Sequence, residues 1–300
     1  VTLSVLFDSD PRSMLPHGRS TDLLVAVRAA LLGGRATLPH YRSEALATSE
    51  KSPGDPVTEA DHAANHAVLE VLGCECPGDP ILSEESPPPD SDSMAGRLWV
   101  VDPLDGTREF IDGIDEFAVM VGLAESGLAA LGAFYVPGTG RLYAGVADGG
   151  AWAADCRVEV EPGSPIRVGE FHPLRVGEPR RGRVRLVRSR SHPDERLEAI
   201  EAALPGVEVI PSGSVGVKCA RIAERVADLY VHPVPYLKEW DTCAPEAVLR
   251  GAGGRVTDCG GGQLRYGKHD PRQPSGILAG DPSSWASALP LVRELCAPIL

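Results

Sequence analysis

Apolar residues recur at helical spacing along residues 21–32, where Leu23, Leu24, Val27, Ala30 and Leu31 share a face. Asp22 is placed to assist the start of that helix, and Gly33-Gly34 is expected to stop it. A second such face, made by Ala60, Ala63, Ala64, Ala67, Val68 and Val71, predicts a helix over residues 59–72 that ends at Gly73. The period then changes. Residues 81–82 and 98–101 read as apolar strands that deliver Ser83-Glu84-Glu85 and Asp102, and 117–123, 129–135 and 142–146 read as a meander with Gly and Pro in its turns. Residues 156–182 are rich in Pro, Gly and Arg, follow neither period and mark a boundary. Beyond them, strands at 184–187, 207–210, 228–232 and 255–258 alternate with helices at 194–203, 217–225 and 242–249, the last closed by Gly251. The fold class is therefore α/β (α+β): an N-terminal domain over 21–180 built on an antiparallel sheet, and a smaller α/β domain over 181–300 that completes any shared site. Residues 1–20 are expected to form a loose leader.

Composition narrows the function without naming it. The chain is 43% hydrophobic and 24% charged, and no apolar run is long enough to cross a bilayer. The opening stretch carries acids and prolines where a secretion signal needs a basic start and an apolar core. A formal net charge of −13 argues against a nucleic-acid polymer as partner, because a phosphate backbone demands a positive surface. Acid in excess serves solubility, or it gathers around a cation. The seven cysteines are scattered, with Cys74 and Cys76 as the close pair and no CxxC spacing. Reduced thiols in a cytoplasmic protein, monomeric or homodimeric, are expected.

The acids stand at element junctions. In WVVDPLDGTREF, residues 99–110, an apolar strand delivers Asp102, and Pro103 is expected to end its hydrogen-bond ladder. Asp105 follows one turn later, Gly106 permits a tight backbone, and Thr107 opens a short helix to Ile111. Two carboxylates so placed can converge on one cation. The amides of Gly106 and Thr107, beside Asp105, can meanwhile receive a phosphate. Hard oxygen ligands select Mg²⁺. Glu84, Asp61 and Asp241 occupy comparable junctions, yet each alone has a plainer use: a solvated acidic loop, a first-turn helix acid and an N-cap, respectively. Asp102 and Asp105 are harder to explain structurally, since an unpaired acid behind a buried strand is costly.

Taken together, SEES at 83–86, DPLDGT at 102–107 and WDTCAPE at 240–246, preceded by DPVTEAD at 55–61, resemble the ordered motifs of the inositol-monophosphatase superfamily. DPLDGTREF, SRSH at 189–192 and GSVGVKCARIAE at 213–224 are most similar to its 3′(2′),5′-bisphosphate nucleotidase branch. The resemblance implies a layered αβαβα sandwich and a lithium-sensitive phosphomonoesterase. It implies two or three Mg²⁺ ions held by Glu84, Asp102, the Leu104 carbonyl, Asp105 and Asp241, with water oriented by Thr107 and either Asp61 or Glu84. It also implies a small phosphorylated substrate, a nucleotide such as 3′-phosphoadenosine 5′-phosphate, contacted by Arg190, His192, Ser214 and Lys218. Val215 and Gly216 depart from the serine pair that often precedes the lysine in that branch. Inositol, sugar or specialised-pathway nucleotide phosphates, or binding without catalysis, are the alternatives.

Overall fold

A computed structural model describes residues 5–8, 19–52, 55–90, 94, 96–161, 164–177, 183–191, 194–204 and 206–297. In chain order the elements are β1 (Val5–Phe7), α1 (Ser20–Thr37), β2 (Thr48–Ser52), β3 (Asp55–Thr58), α2 (Glu59–Glu75), β4 (Ile81–Ser83), β5 (Arg97–Asp105), α3 (Thr107–Ile111), β6 (Ala118–Glu125), β7 (Leu128–Val136), β8 (Arg141–Val146), β9 (Gly150–Arg157), β10 (Ile166–Val168) and β11 (His172–Pro173). They continue with β12 (Val184–Ser189), α4 (Glu195–Ala203), β13 (Val207–Ser212), α5 (Val215–Ala223), β14 (Leu229–His232), α6 (Glu239–Gly251), β15 (Arg255–Thr257), β16 (Ile277–Gly280) and α7 (Pro282–Cys296).

The larger sheet runs β1-β10-β9-β8-β7-β6-β5-β4, with β11 on β9. It is antiparallel except at its two ends, where β1 joins β10 and β4 joins β5 in parallel. The smaller sheet runs β13-β12-β14-β16-β15 and mixes both senses. α1 and α2 cover one face of the larger sheet, where Leu23, Val27, Leu31, Val68 and Leu72 bury against Trp99, Val121 and Tyr135. α5 and α6 fill the space between the sheets, and α4 and α7 close the outer face of the smaller one. The layers are therefore α, β, α, β, α, as the motifs implied. Among the described residues no helix is long and apolar enough to cross a membrane.

The strands and helices depart from the sequence expectation in instructive ways. Gly33-Gly34 does not stop α1, which continues to Thr37. A methyl group on Gly33 would sit 2.7 Å from Val68 Cγ2, and one on Gly34 2.3 Å from Tyr135 Cδ1. These glycines let α1 press onto α2 and the sheet, and burial there outweighs their poor helix propensity. α2 likewise passes through Gly73. Part of the expected leader, Val5–Phe7, is an edge strand. The sequence period does not announce β9, β16 or α7: GAWAADCR alternates weakly in β9, and Pro282 and Pro290 mask the period of α7.

One more feature positions the site. Gly122, Gly132 and Gly145 lie in register across β6, β7 and β8. Added β-carbons there would meet Cys243 Sγ at 2.7 Å, Ala244 Cα at 2.5 Å and Val248 Cα at 2.8 Å. The stripe lets α6 lie almost on the sheet backbone.

Candidate metal centre and active site

Pro103 does not end the ladder: β5 runs on to Asp105. Asp102 pairs with Met120 and Asp105 with Ala118, so three steps on β5 oppose two on β6. This bulge inserts one residue. Side chains alternate along a strand, so acids three apart would point to opposite faces; the extra residue returns both to one face. Pro103 fits because a bulge leaves its position outside the ladder.

Asp241 enters from the other side, on α6. It is the third residue of that helix rather than the N-cap; the N-cap is Lys238, whose backbone N–H donates to Asp241 Oδ2 at 2.5 Å. Ligand oxygens of Asp102, Asp105 and Asp241 all lie within 4.8 Å of one another. Glu84, delivered by β4, lines the same cavity of about 670 Å³, as does Leu104. Neighbouring acids oppose ionisation of Asp102 and Asp241. Burial first, then the charges of Glu84, Asp105 and Asp241, hold the Asp102 carboxyl well above its usual range. Burial, then Glu84 and Asp105, pushes Asp241 up to about 8. Asp105 is also raised by burial, although Lys218 and hydrogen bonds from Ser214 Oγ (2.5 Å) and Gly216 N (3.0 Å) pull it back. Converging carboxylates that resist ionisation could hold a divalent cation, and oxygen-only ligands suit Mg²⁺. Lys51, from the β2–β3 hairpin, places its ammonium 2.8 Å from Glu84 Oε1 and also pairs with Glu85.

Asp61 serves two purposes at once. Its Oδ2 accepts from Thr58 N at 2.8 Å and Thr58 Oγ1 at 2.7 Å, closing a capping box at the start of α2. Its Oδ1 stands 3.2 Å from Thr107 Oγ1, which also lies 3.1 Å from the Leu104 carbonyl oxygen. Asp61 is thus hydrogen-bonded to Thr107, and burial raises its pKa. Gly106, between Asp105 and Thr107, has φ +94°, a conformation that side chains rarely adopt.

Ser214 and Lys218 both line the cavity. Ser214 faces Asp105, as noted, and caps α5 by accepting from Val217 N. Lys218 is no surface lysine: it is 4% exposed, donates to the Ser214 carbonyl at 3.0 Å and lies over the Tyr230 ring. Burial lowers its pKa, with Asp105 and Glu109 opposing. Arg190 is directed elsewhere, 2.9 Å from Glu116 Oε2, and is not among the cavity-lining residues. His192 lies outside the described residues. Cavity residues unread from sequence include Lys238 and Tyr236, although PYLKEWD sets an aromatic and a cation directly before a metal motif, a signal available in the sequence. Lys51 carried no such signal.

Comparison with known proteins agrees with this geometry. The sequence profile of the "Inositol monophosphatase family" matches residues 19–295. The chain is 37% identical over 219 residues to "3′(2′),5′-bisphosphate nucleotidase CysQ" of Salmonella typhimurium, covering 73% of this chain and 82% of that one. It is 32% identical over 262 residues to "3′-phosphoadenosine 5′-phosphate phosphatase" of Mycobacterium leprae, covering 86% and 89%. The crystal structure of CysQ from Bacteroides thetaiotaomicron superposes with a TM-score of 0.73 at 31% identity, covering 88% of this chain and 98% of that one. With its motifs in order and their acids gathered at one cavity, the chain belongs to the inositol monophosphatase family, a family of magnesium-dependent phosphatases.

Proposed function

We propose that this protein is a Mg²⁺-dependent phosphomonoesterase that removes the 3′-phosphate of 3′-phosphoadenosine 5′-phosphate or a similar nucleotide. The observation that carries the chemistry is the convergence of Asp102, Asp105 and Asp241 within 4.8 Å, with Glu84 on the same cavity. The nucleotide is supported by relatives whose names specify it. Glu84, Asp102, Asp105, Asp241 and the Leu104 carbonyl would hold two or three Mg²⁺ ions. Cations there supply positive charge against phosphoryl oxygens and acidify water.

The remaining work belongs to the chain. Asp61, with Oδ2 occupied by Thr58, has Oδ1 to receive the Thr107 proton. That leaves the Thr107 oxygen to accept from, and so orient, an attacking water. A burial-raised carboxyl is a stronger base once ionised, which suits the role. Phosphoryl transfer needs little covalent help beyond such positioning and charge neutralisation. The test is phosphate release in Mg²⁺ from 3′-phosphoadenosine 5′-phosphate, its sulfated analogue, inositol 1-phosphate and fructose 1,6-bisphosphate. The nucleotide is expected to give the highest kcat/KM; a higher value for inositol 1-phosphate would reject it as the substrate.

A further inference from the structure

The cavity over the carboxylates is also lined by Tyr236, Leu237, Lys238 and Arg272, and the exposed Tyr236 and Arg272 mark its rim. We infer that this rim reads the nucleotide: the Tyr236 ring stacks on the base, and Lys238 with Arg272 receives the phosphate that is not cleaved. The inference deepens the proposed function and rests on it.

The rim is built to hold its shape. Gln273 N donates to the Leu237 carbonyl at 2.7 Å, Glu239 N donates to the Pro271 carbonyl at 2.8 Å, and Lys238 bridges Arg272 in antiparallel fashion. Beneath it, the fully buried Glu239 carboxylate accepts the N–H groups of Gly267 (2.6 Å) and Lys268 (3.0 Å). Two segments far apart in sequence are thus clamped together at the mouth. On that clamp Tyr236 is 72% exposed. An exposed tyrosine alone is ordinary, but this one lines a cavity that Lys238 and Arg272 also line. The Lys238 ammonium lies over the Trp240 ring at 5.8 Å, and Arg272 gives its Nε and one Nη to Asp270, which orients the guanidinium.

The cavity is lined by the acids Glu84, Asp102, Asp105 and Asp241 and also by the cations Lys238 and Arg272. A volume of about 670 Å³ lies in the range of whole small-molecule sites and far exceeds a single phosphate. A flat aromatic ring beside two anchored cations matches a base and a second anion, since aromatic faces stack on any base. A polyol phosphate offers neither.

Steady-state kinetics test this with 3′-phosphoadenosine 5′-phosphate, adenosine 3′-monophosphate and inositol 1-phosphate. Tyr236→Ala is expected to raise KM for both nucleotides about tenfold with little change in kcat, and Tyr236→Phe to restore it. Arg272→Gln, alone and with Lys238→Gln, is expected to raise KM for the bisphosphate severalfold more than for the monophosphate. Glutamine at 238 keeps the backbone donor to Asp241. A wild-type protein that releases nothing from either nucleotide overturns the functional reading and the rim together. Normal nucleotide turnover whose KM ratios are unmoved by these variants overturns the rim alone.

Discussion

At the residue scale, the acids do more than one thing, and this is why single-residue reading left them open. Asp61 is both a capping acid and the partner of Thr107, one role per oxygen. Asp241 accepts a backbone N–H while sitting within reach of Asp102 and Asp105. A helix-end hydrogen bond and a place beside Thr107 or the other acids coexist in each, so neither excludes the other in the sequence. What the motifs did make legible was the set of acids; which acid meets Thr107 was not, because both candidates lie far from it along the chain. Asp102→Asn keeps an acceptor for the Leu104 N–H at 3.0 Å but removes charge from the cluster. We expect turnover to fall by at least about a hundredfold. The metal-free Asp102→Asn protein should instead melt about 2–4 °C higher, since folding no longer has to hold a buried carboxyl protonated well above its usual range; calorimetry in a chelator measures this. Thr107→Val should cut kcat strongly with little change in Mg²⁺ half-saturation, which Mg²⁺ titration of activity checks.

At the element scale, the sequence period located strands and helices well where burial is one-sided and failed where tertiary contact overrode local preference. A glycine pair is locally a helix stop, whereas α1 uses Gly33-Gly34 to approach its neighbours. Pro103 is locally a strand stop, whereas β5 absorbs it in a bulge that turns Asp105 toward Asp102. Neither outcome can be seen without the facing element, since Val68 and Tyr135 in one case and β6 in the other make the difference. Gly34→Ala is therefore expected to destabilise the protein by about 1–3 kcal/mol through overpacking against Tyr135. Denaturant unfolding should show that loss, while Mg²⁺ dependence of the folded enzyme stays as in the parent.

At the scale of the whole molecule, the −13 charge has a local expression in the acids that line the cavity. Unfolded, Asp241 ionises near its ordinary value of 3.8; folded and without metal it holds its proton up to about 8. Between those values the folded chain binds more protons than the unfolded one, so metal-free stability falls as pH rises through the interval. Melting temperature in a chelator should drop from about pH 5 to about pH 8, and saturating Mg²⁺ should flatten the trend, because a cation stabilises the ionised carboxylates. The glycine stripe under α6 links this centre to the scaffold. Three absent methyl groups fix how deep that helix sits, and with it the carboxylate near its first turn. Gly132→Ala would lift the helix by wedging Ala244, so its damage should register as a weakened hold on Mg²⁺ as well as a lower melting point. That seam is not part of the cavity lining, so one carbon atom on the blind side of the helix would act on the cation site only through the depth at which the helix lies.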